Sequence, residues 1–253
     1  MRAFVVLGLM LFLSACVQVP ASDSRKVDPQ AGARDRVAIA AEHLRNGDSE
    51  KAQLQLQRAL ELDPRSAEAH NLMGVLLDRD GDKRAAEKSY KRAVKLRPEF
   101  AQAHNNYAVF LFKNKRYKDA YKQFEAASTD LGYDLRGQAF EGMGRCALQL
   151  GDKEGAMRSF TRALRSDPNL PVASLEIGEL LFAQGNFEGA RSAYQNYLKL
   201  TPSMSQSAQS LWLGIRLERR FGDKNALASY ELALKRLYPN SPEYKQYMES
   251  PAQ

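Results

Sequence analysis

The chain has 253 residues, 44% of them apolar and 26% charged, a balance that excludes wholesale disorder and allows one large domain or two small ones. Its formal charge of +7 suits nucleic acid, anionic lipid or an acidic partner. The densest positive run (Lys83, Arg84, Lys88, Lys91, Arg92, Lys95) has helical spacing and is interleaved with other residue types. It therefore reads as a solvated helix face, and nucleic acid is not an expected partner.

Residues 1–15 have the parts of a secretory signal: Arg2, an apolar run from Ala3 to Leu13, then small Ser14 and Ala15. The apolar run is shorter than the roughly 20 residues a membrane-spanning helix needs, so it reads as a cleaved signal. Leu13-Ser14-Ala15-Cys16 resembles the lipobox of bacterial lipoproteins, which implies acylation of Cys16 by palmitate-like chains after cleavage. Val17 stands where an inner-membrane retention signal would place Asp, and this favours the outer membrane. With Cys16 acylated, Cys146 has no disulfide partner; it lies in a helical apolar pattern beside Met143 and Leu150 and reads as core. Residues 16–32 carry Pro, Ser, Asp and Gly without periodicity and read as a tether.

From there a repeat runs through the chain. Ala40, Gly74, Ala108, Gly144, Gly178 and Gly214 are spaced 34, 34, 36, 34 and 36 residues apart. Each is followed 12 residues later by an alanine (Ala52, Ala86, Ala120, Ala156, Ala190, Ala226) and four further on by Leu56, Tyr90, Phe124, Phe160, Tyr194 or Tyr230. Pro64, Pro98, Pro168, Pro202 and, one place late, Pro239 close the units. This is the tetratricopeptide pattern of helix hairpins. Small residues let the two helices of a hairpin approach, the bulky residue fills the space one turn along, and Gly-Asp or Gly-Asn between helices ends one and caps the next. The expected fold is all-α: a right-handed α-solenoid of six tetratricopeptide hairpins over residues 33–248. The units fall at 33–66, 67–100, 101–134, 137–170, 171–204 and 207–240, with a C-terminal cap. The cap draws on Leu234 to Met248, with Tyr238, Tyr244 and Tyr247. The link Thr129–Gly132 lacks a closing proline, which predicts a change of pitch there.

No constellation for catalysis emerges. Gly151-Asp152-Lys153 lacks the rest of a phosphate loop, and no serine sits in a nucleophile elbow. His70 and His104 occupy equivalent places one repeat apart, too far to share a metal, and read as packing residues. Glu176 and Glu179 share one helix face and read as a solvated, groove-facing pair. The chain is thus expected to be a binding protein, without enzymatic activity, metal or cofactor, and monomeric by itself.

What remains is the concave groove, lined by first helices. Its expected contacts are Val37, Ala41 and Leu44 in the first unit, Asn71 and Val75 in the second, and Asn105, Val109 and Phe112 in the third. Glu141, Arg145, Leu175, Glu179, Leu211 and Ile215 follow in later units. Val37 and Ala41 replace the Lys and Asn of the familiar carboxylate clamp, so an apolar segment of another protein is the expected ligand. The first three units carry the most apolar positions.

Two stretches go beyond the generic repeat: His104-Asn105-Asn106-Tyr107 followed by AVFLFKNKRYKDAYKQFEAAS, and Leu211–Leu217 with LKRLYPNSPEY from Leu234 to Tyr244. With six repeats and a lipobox, the chain resembles the PilW/PilF-type lipoproteins of type IV pilus biogenesis over essentially its whole mature length. The resemblance implies a pilotin. Such a protein, lipid-anchored at the periplasmic face of the outer membrane, binds the type IV pilus secretin subunit and supports its localisation and multimerisation, on which pilus biogenesis, twitching motility and adhesion depend. Ala108, in place of a common Gly, and the bulky Trp212 depart from the family pattern. The competing reading is a lipoprotein adaptor for cell-envelope or peptidoglycan assembly enzymes.

Overall fold

The computed structural model describes residues 28–202 and 206–250. The signal, Cys16 and most of the tether lie outside the described residues. Thirteen α-helices follow one another, with no strand among the described residues. Six hairpins pair α1 (Pro29–Arg45) with α2 (Ser49–Leu62), α3 (Ala67–Arg79) with α4 (Lys83–Leu96), and α5 (Ala101–Lys113) with α6 (Tyr117–Ser128). They continue with α7 (Arg136–Gln149) and α8 (Lys153–Ser166), α9 (Pro171–Ala183) and α10 (Phe187–Leu200), and α11 (Ala208–Phe221) and α12 (Lys224–Leu237). Helix α13 (Pro242–Glu249) packs on α11. Each first helix also packs on the first helix of the next hairpin, which builds the solenoid.

The first helix begins at Pro29, before the boundary at 33 read from the sequence. Asp28 accepts a hydrogen bond from the Gln30 amide at 3.0 Å, and Pro29 occupies the first helical position, where its missing N–H is no loss. At the other end of five of the six units the prolines act one residue early. Asp63, Arg97, Asp167, Thr201 and Tyr238 precede Pro64, Pro98, Pro168, Pro202 and Pro239 and leave helical conformation, with φ between −142° and −126°. Clash with the proline ring disfavours helix at the preceding residue.

Between the helices of a hairpin, Gly47, Gly81, Gly151, Gly185 and Gly222 have φ of 77–87°, a left-handed conformation that only glycine adopts freely. The next residue caps the second helix through its side chain at Asp82, Asp152, Asn186 and Asp223. Asp48 does not; its carboxylate takes Lys51 Nζ at 3.2 Å instead.

One continuous core runs from Ala86 to Leu180 and includes buried Tyr107, Phe110, Phe124, Phe140 and Phe160. Where the third unit lacks its closing proline, α6 and α7 pack nearly as extensively as the two helices of one hairpin, and Arg136 Nε donates to the Ser128 carbonyl at 2.8 Å. At the C-terminus, Tyr244 and Tyr247 stack at 5.9 Å, Tyr247 meets Trp212 edge-on, and the Trp212 indole donates to Gln246 Oε1 at 2.9 Å. The bulky Trp212 is therefore the seat of the cap. Leu234 to Leu237 belong to α12, and Met248 points to solvent, so the cap proper is α13 alone.

Candidate functional site

The residues expected to face the groove divide into two groups. Leu211 and Ile215 are buried against Leu234 and the tyrosines of the cap, and Leu175 packs with Tyr194, Tyr197 and Leu213. Their apolar side chains are consumed by neighbouring repeats, so they do not line an open wall. Asn71 is 2% exposed and accepts a hydrogen bond from Asn106 Nδ2 at 3.1 Å across one repeat. Asn105 is also buried. Val37, Leu44, Val75 and Phe112 are half-buried against the core, and Ala41 is half-buried. Val109 is 39% exposed on a helix that is otherwise mostly buried.

Polar groups on this wall bind one repeat to the next. Lys113 Nζ reaches Asp78 at 3.1 Å, Arg79 donates to the Leu44 carbonyl at 3.2 Å, and Glu141 accepts from the Ala173 amide at 3.2 Å. The carboxylates Glu176 and Glu179 are not a free pair. Glu179 receives Arg216 Nη2 on both oxygens, at 2.6 and 2.7 Å, and Glu176 accepts from Gln209 at 3.3 Å. Burial raises the carboxyls of Glu141 and Glu176 above their ordinary range.

An open cavity of about 420 Å³ remains at the junction of the third and fourth units, within the roughly 300–1,000 Å³ span of ligand sites. Phe112 and Tyr117 meet edge to face at 5.2 Å and form one side; Arg145 lies over the Phe112 ring at 4.8 Å. Val109 and the Phe124 ring complete the apolar surface, and Lys113 and Lys115 stand at the rim.

Two residues outside the expected site shape it. In the second, fourth and sixth units a Cβ on Gly74, Gly144 or Gly214 would strike Tyr90, Phe160 or Tyr230, the bulky residue of the same hairpin. The third unit has Ala108 at that place, and its bulky residue, Phe124, lies against Gly142 of the fourth unit, much as Tyr194 of the fifth places its hydroxyl against Gly214 of the sixth. A Cβ on Gly142 would come within 2.5–2.7 Å of three ring atoms. The equivalent position elsewhere carries Ala38, Leu72, Asn106, Glu176 or Trp212. The second residue is Lys115, with φ of 60°, the single non-glycine with positive φ among the described residues. It stands where Gly47, Gly81, Gly151 and Gly185 make the same turn. Its neighbours hold it: Asn114 Nδ2 donates to the Phe110 carbonyl at 2.8 Å, and Arg116 binds Glu87 at 2.6 Å and Asp119 at 2.7 Å. Both signals were present in the aligned repeats, as a missing side chain and a missing glycine.

Elsewhere the side chains with reactive potential serve packing. Cys146 is fully buried, and burial pushes its thiol up to about 12. His70 and His104 each place Nε2 against the carbonyl of the proline six residues earlier, Pro64 at 3.1 Å and Pro98 at 2.8 Å. Nδ1 of His104 lies 2.7 Å from the Gln123 amide group. Each ring thus pins an inter-repeat turn to the helix that follows. Among the described residues no three His, Cys, Asp or Glu side chains gather as a metal site, and no helix is long and apolar enough to cross a membrane.

The tetratricopeptide repeat family model matches residues 37–83, 72–134, 141–205 and 175–242. The chain is 35% identical over 248 residues to the type IV pilus assembly protein PilF of Pseudomonas aeruginosa, covering 97% of each protein. The solved Pseudomonas aeruginosa PilF structure superposes with a TM-score of 0.82 at 34% identity, over 87% of this chain and 98% of that one. PilW, described as a widely conserved type IV pilus biogenesis factor, shares the fold with a TM-score of 0.69 at 24% identity, over 85% and 98% of the two chains. YrrB, described as a tetratricopeptide-repeat protein with an unusual peptide-binding site, does so at 0.61 and 17% identity, over 77% and 98%. With a sequence and a fold that follow PilF along nearly its whole length, the chain belongs to the PilF family of tetratricopeptide-repeat type IV pilus assembly proteins.

Proposed function

We propose that this protein acts in type IV pilus biogenesis as a pilotin: an outer-membrane lipoprotein that binds the pilus secretin subunit and promotes its localisation and multimerisation. The observation that carries the reading is the relationship to PilF along nearly the whole chain. The solenoid supports a role in holding another protein, since its chemistry-bearing side chains are tied up in packing and its concave wall keeps an open, partly apolar cavity. The Leu13-Ser14-Ala15-Cys16 motif supports the anchor. Acyl chains contribute about 0.8 kcal/mol per buried CH₂, so several on one residue give lasting attachment. The 12 residue steps from Cys16 to Asp28 would then keep the start of the solenoid within about 43 Å of the membrane, at no more than ~3.6 Å per step.

Affinity capture of the mature protein from envelope extracts tests the partner: secretin should dominate the eluate, and peptidoglycan synthases or hydrolases in its place would favour the adaptor reading. Cys16→Ser tests the anchor. That variant should fold and leave the outer-membrane fraction; unchanged fractionation would overturn lipidation as the tether.

A further inference from the structure

We infer that the cavity between the third and fourth units is a side-chain pocket for an acidic segment of a protein partner, one in which an aliphatic or aromatic residue lies beside Asp or Glu. The inference rests on the reading of the groove as a protein-binding surface and names the chemistry that it takes.

Three observations carry it. The apolar surface is made across the junction, because Gly142 of the fourth unit leaves bare backbone for the Phe124 ring of the third. The rim is cationic: Lys113, Lys115 and Arg145 surround the cavity, and no carboxylate lines it. Lys113 is partly satisfied by Asp78, whereas Lys115 and Arg145 form no ion pair within 4.0 Å among the described residues. Finally, the strained residue of the solenoid is one of these cations. Lys115 occupies a left-handed turn that four other units give to glycine, and Asn114 and Arg116 on either side fix it there. Backbone strain that persists because its surroundings hold it clusters at active sites and ligand clamps. An apolar anchor with a flanking carboxylate satisfies both halves of the cavity: the side chain enters between Val109, Phe112 and Phe124, and the carboxylate meets Lys115 and Arg145.

Selection of a random displayed 12-residue peptide library on the purified mature protein tests the assignment. Enriched peptides should carry an apolar residue within two positions of Asp or Glu. Their affinity should fall at least tenfold for the exposed double variant Lys115→Glu/Arg145→Glu, and should weaken as salt rises. Lys115→Gly separates binding from folding: its melting temperature should hold or rise while the same peptides bind more weakly. Enrichment of peptides without carboxylates, no enrichment, or unchanged binding by both variants would overturn the pocket. The library contains no secretin, so failure of the pocket is distinct from failure of secretin capture by the unaltered protein.

Discussion

Gly142→Ala probes the junction at a single atom. A methyl group in a helix interior normally stabilises by about 0.5–1 kcal/mol, because glycine loses more backbone entropy on folding. At this site the new Cβ would stand 2.5 Å from Phe124 Cζ and 2.6–2.7 Å from two further ring atoms, well inside contact distance, so the ring must turn or α7 must shift. Overpacking of this kind costs about 1–3 kcal/mol, which leaves a net loss of up to about 2.5 kcal/mol. The repair is specified by the other units. Ala108→Gly gives the third unit the bare backbone on which Tyr90 lies at Gly74 and Phe160 at Gly144, a space into which the Phe124 ring can turn. The double variant should therefore be more stable than the sum of the single effects by about 1 kcal/mol, within the range for residues sharing a packing site. Urea unfolding followed by far-UV circular dichroism gives the three values, with equal slopes confirming comparable unfolding. If Gly142→Ala stabilises by the full helix-propensity gain, or if the two changes add within about 0.5 kcal/mol, the account of Phe124 packing on Gly142 is wrong.

Other consequences can be checked in the same preparation. Lys115→Gly should raise stability by about 0.5–1 kcal/mol, since a side chain in the left-handed region costs about 1–2 kcal/mol and glycine entropy returns part of the gain; a loss measured by urea unfolding would mean the turn is not strained. Glu87, held near 2 by Lys91 and Arg116, favours folding while ionised, so its contribution is present above its unfolded value near 4.5 and fades as pH falls towards 2. Glu87→Gln should remove that part of the acid sensitivity. Glu176 has the opposite sign: its raised value makes ionisation oppose folding as pH climbs, so Glu176→Gln should be the more stable form at neutral pH and match the parent in acid, by thermal melts at both. Cys146 should ignore a thiol reagent until denaturant is added. Ending the chain at Asn240 should shift the emission of Trp212, the one tryptophan, to longer wavelength as its cover of Tyr244 and Tyr247 is lost.

The repeat made the architecture legible because its signals are local. A proline ends a helix two residues earlier, a glycine enters the left-handed turn, and a second glycine takes the face of an aromatic ring, as Gly74 does for Tyr90, each within one hairpin. The start of α1 lies ahead of the repeat pattern because capping by Asp28 and Pro29 involves two residues without periodicity. The groove was less legible for a related reason. A repeat register says which positions point inwards, but not which of them the next repeat or the cap consumes. Leu211 and Ile215 vanish under α13, a helix outside the repeat, and Asn71 is taken by Asn106 from the next unit. The pocket came from departures from the pattern. Lys115 in place of glycine and Gly142 in place of a side chain were visible in the alignment of units, but their meaning depended on where Phe124 lies.

The proposed role turns on one measurement: SDS-resistant secretin multimers in outer-membrane fractions of a strain lacking this protein, carrying in turn the wild-type gene, Cys16→Ser, or no gene. Multimers should be restored by wild type, absent without it, and sharply reduced or misplaced with Cys16→Ser. Undiminished outer-membrane multimers in the strain without the gene would contradict the assignment as a pilotin.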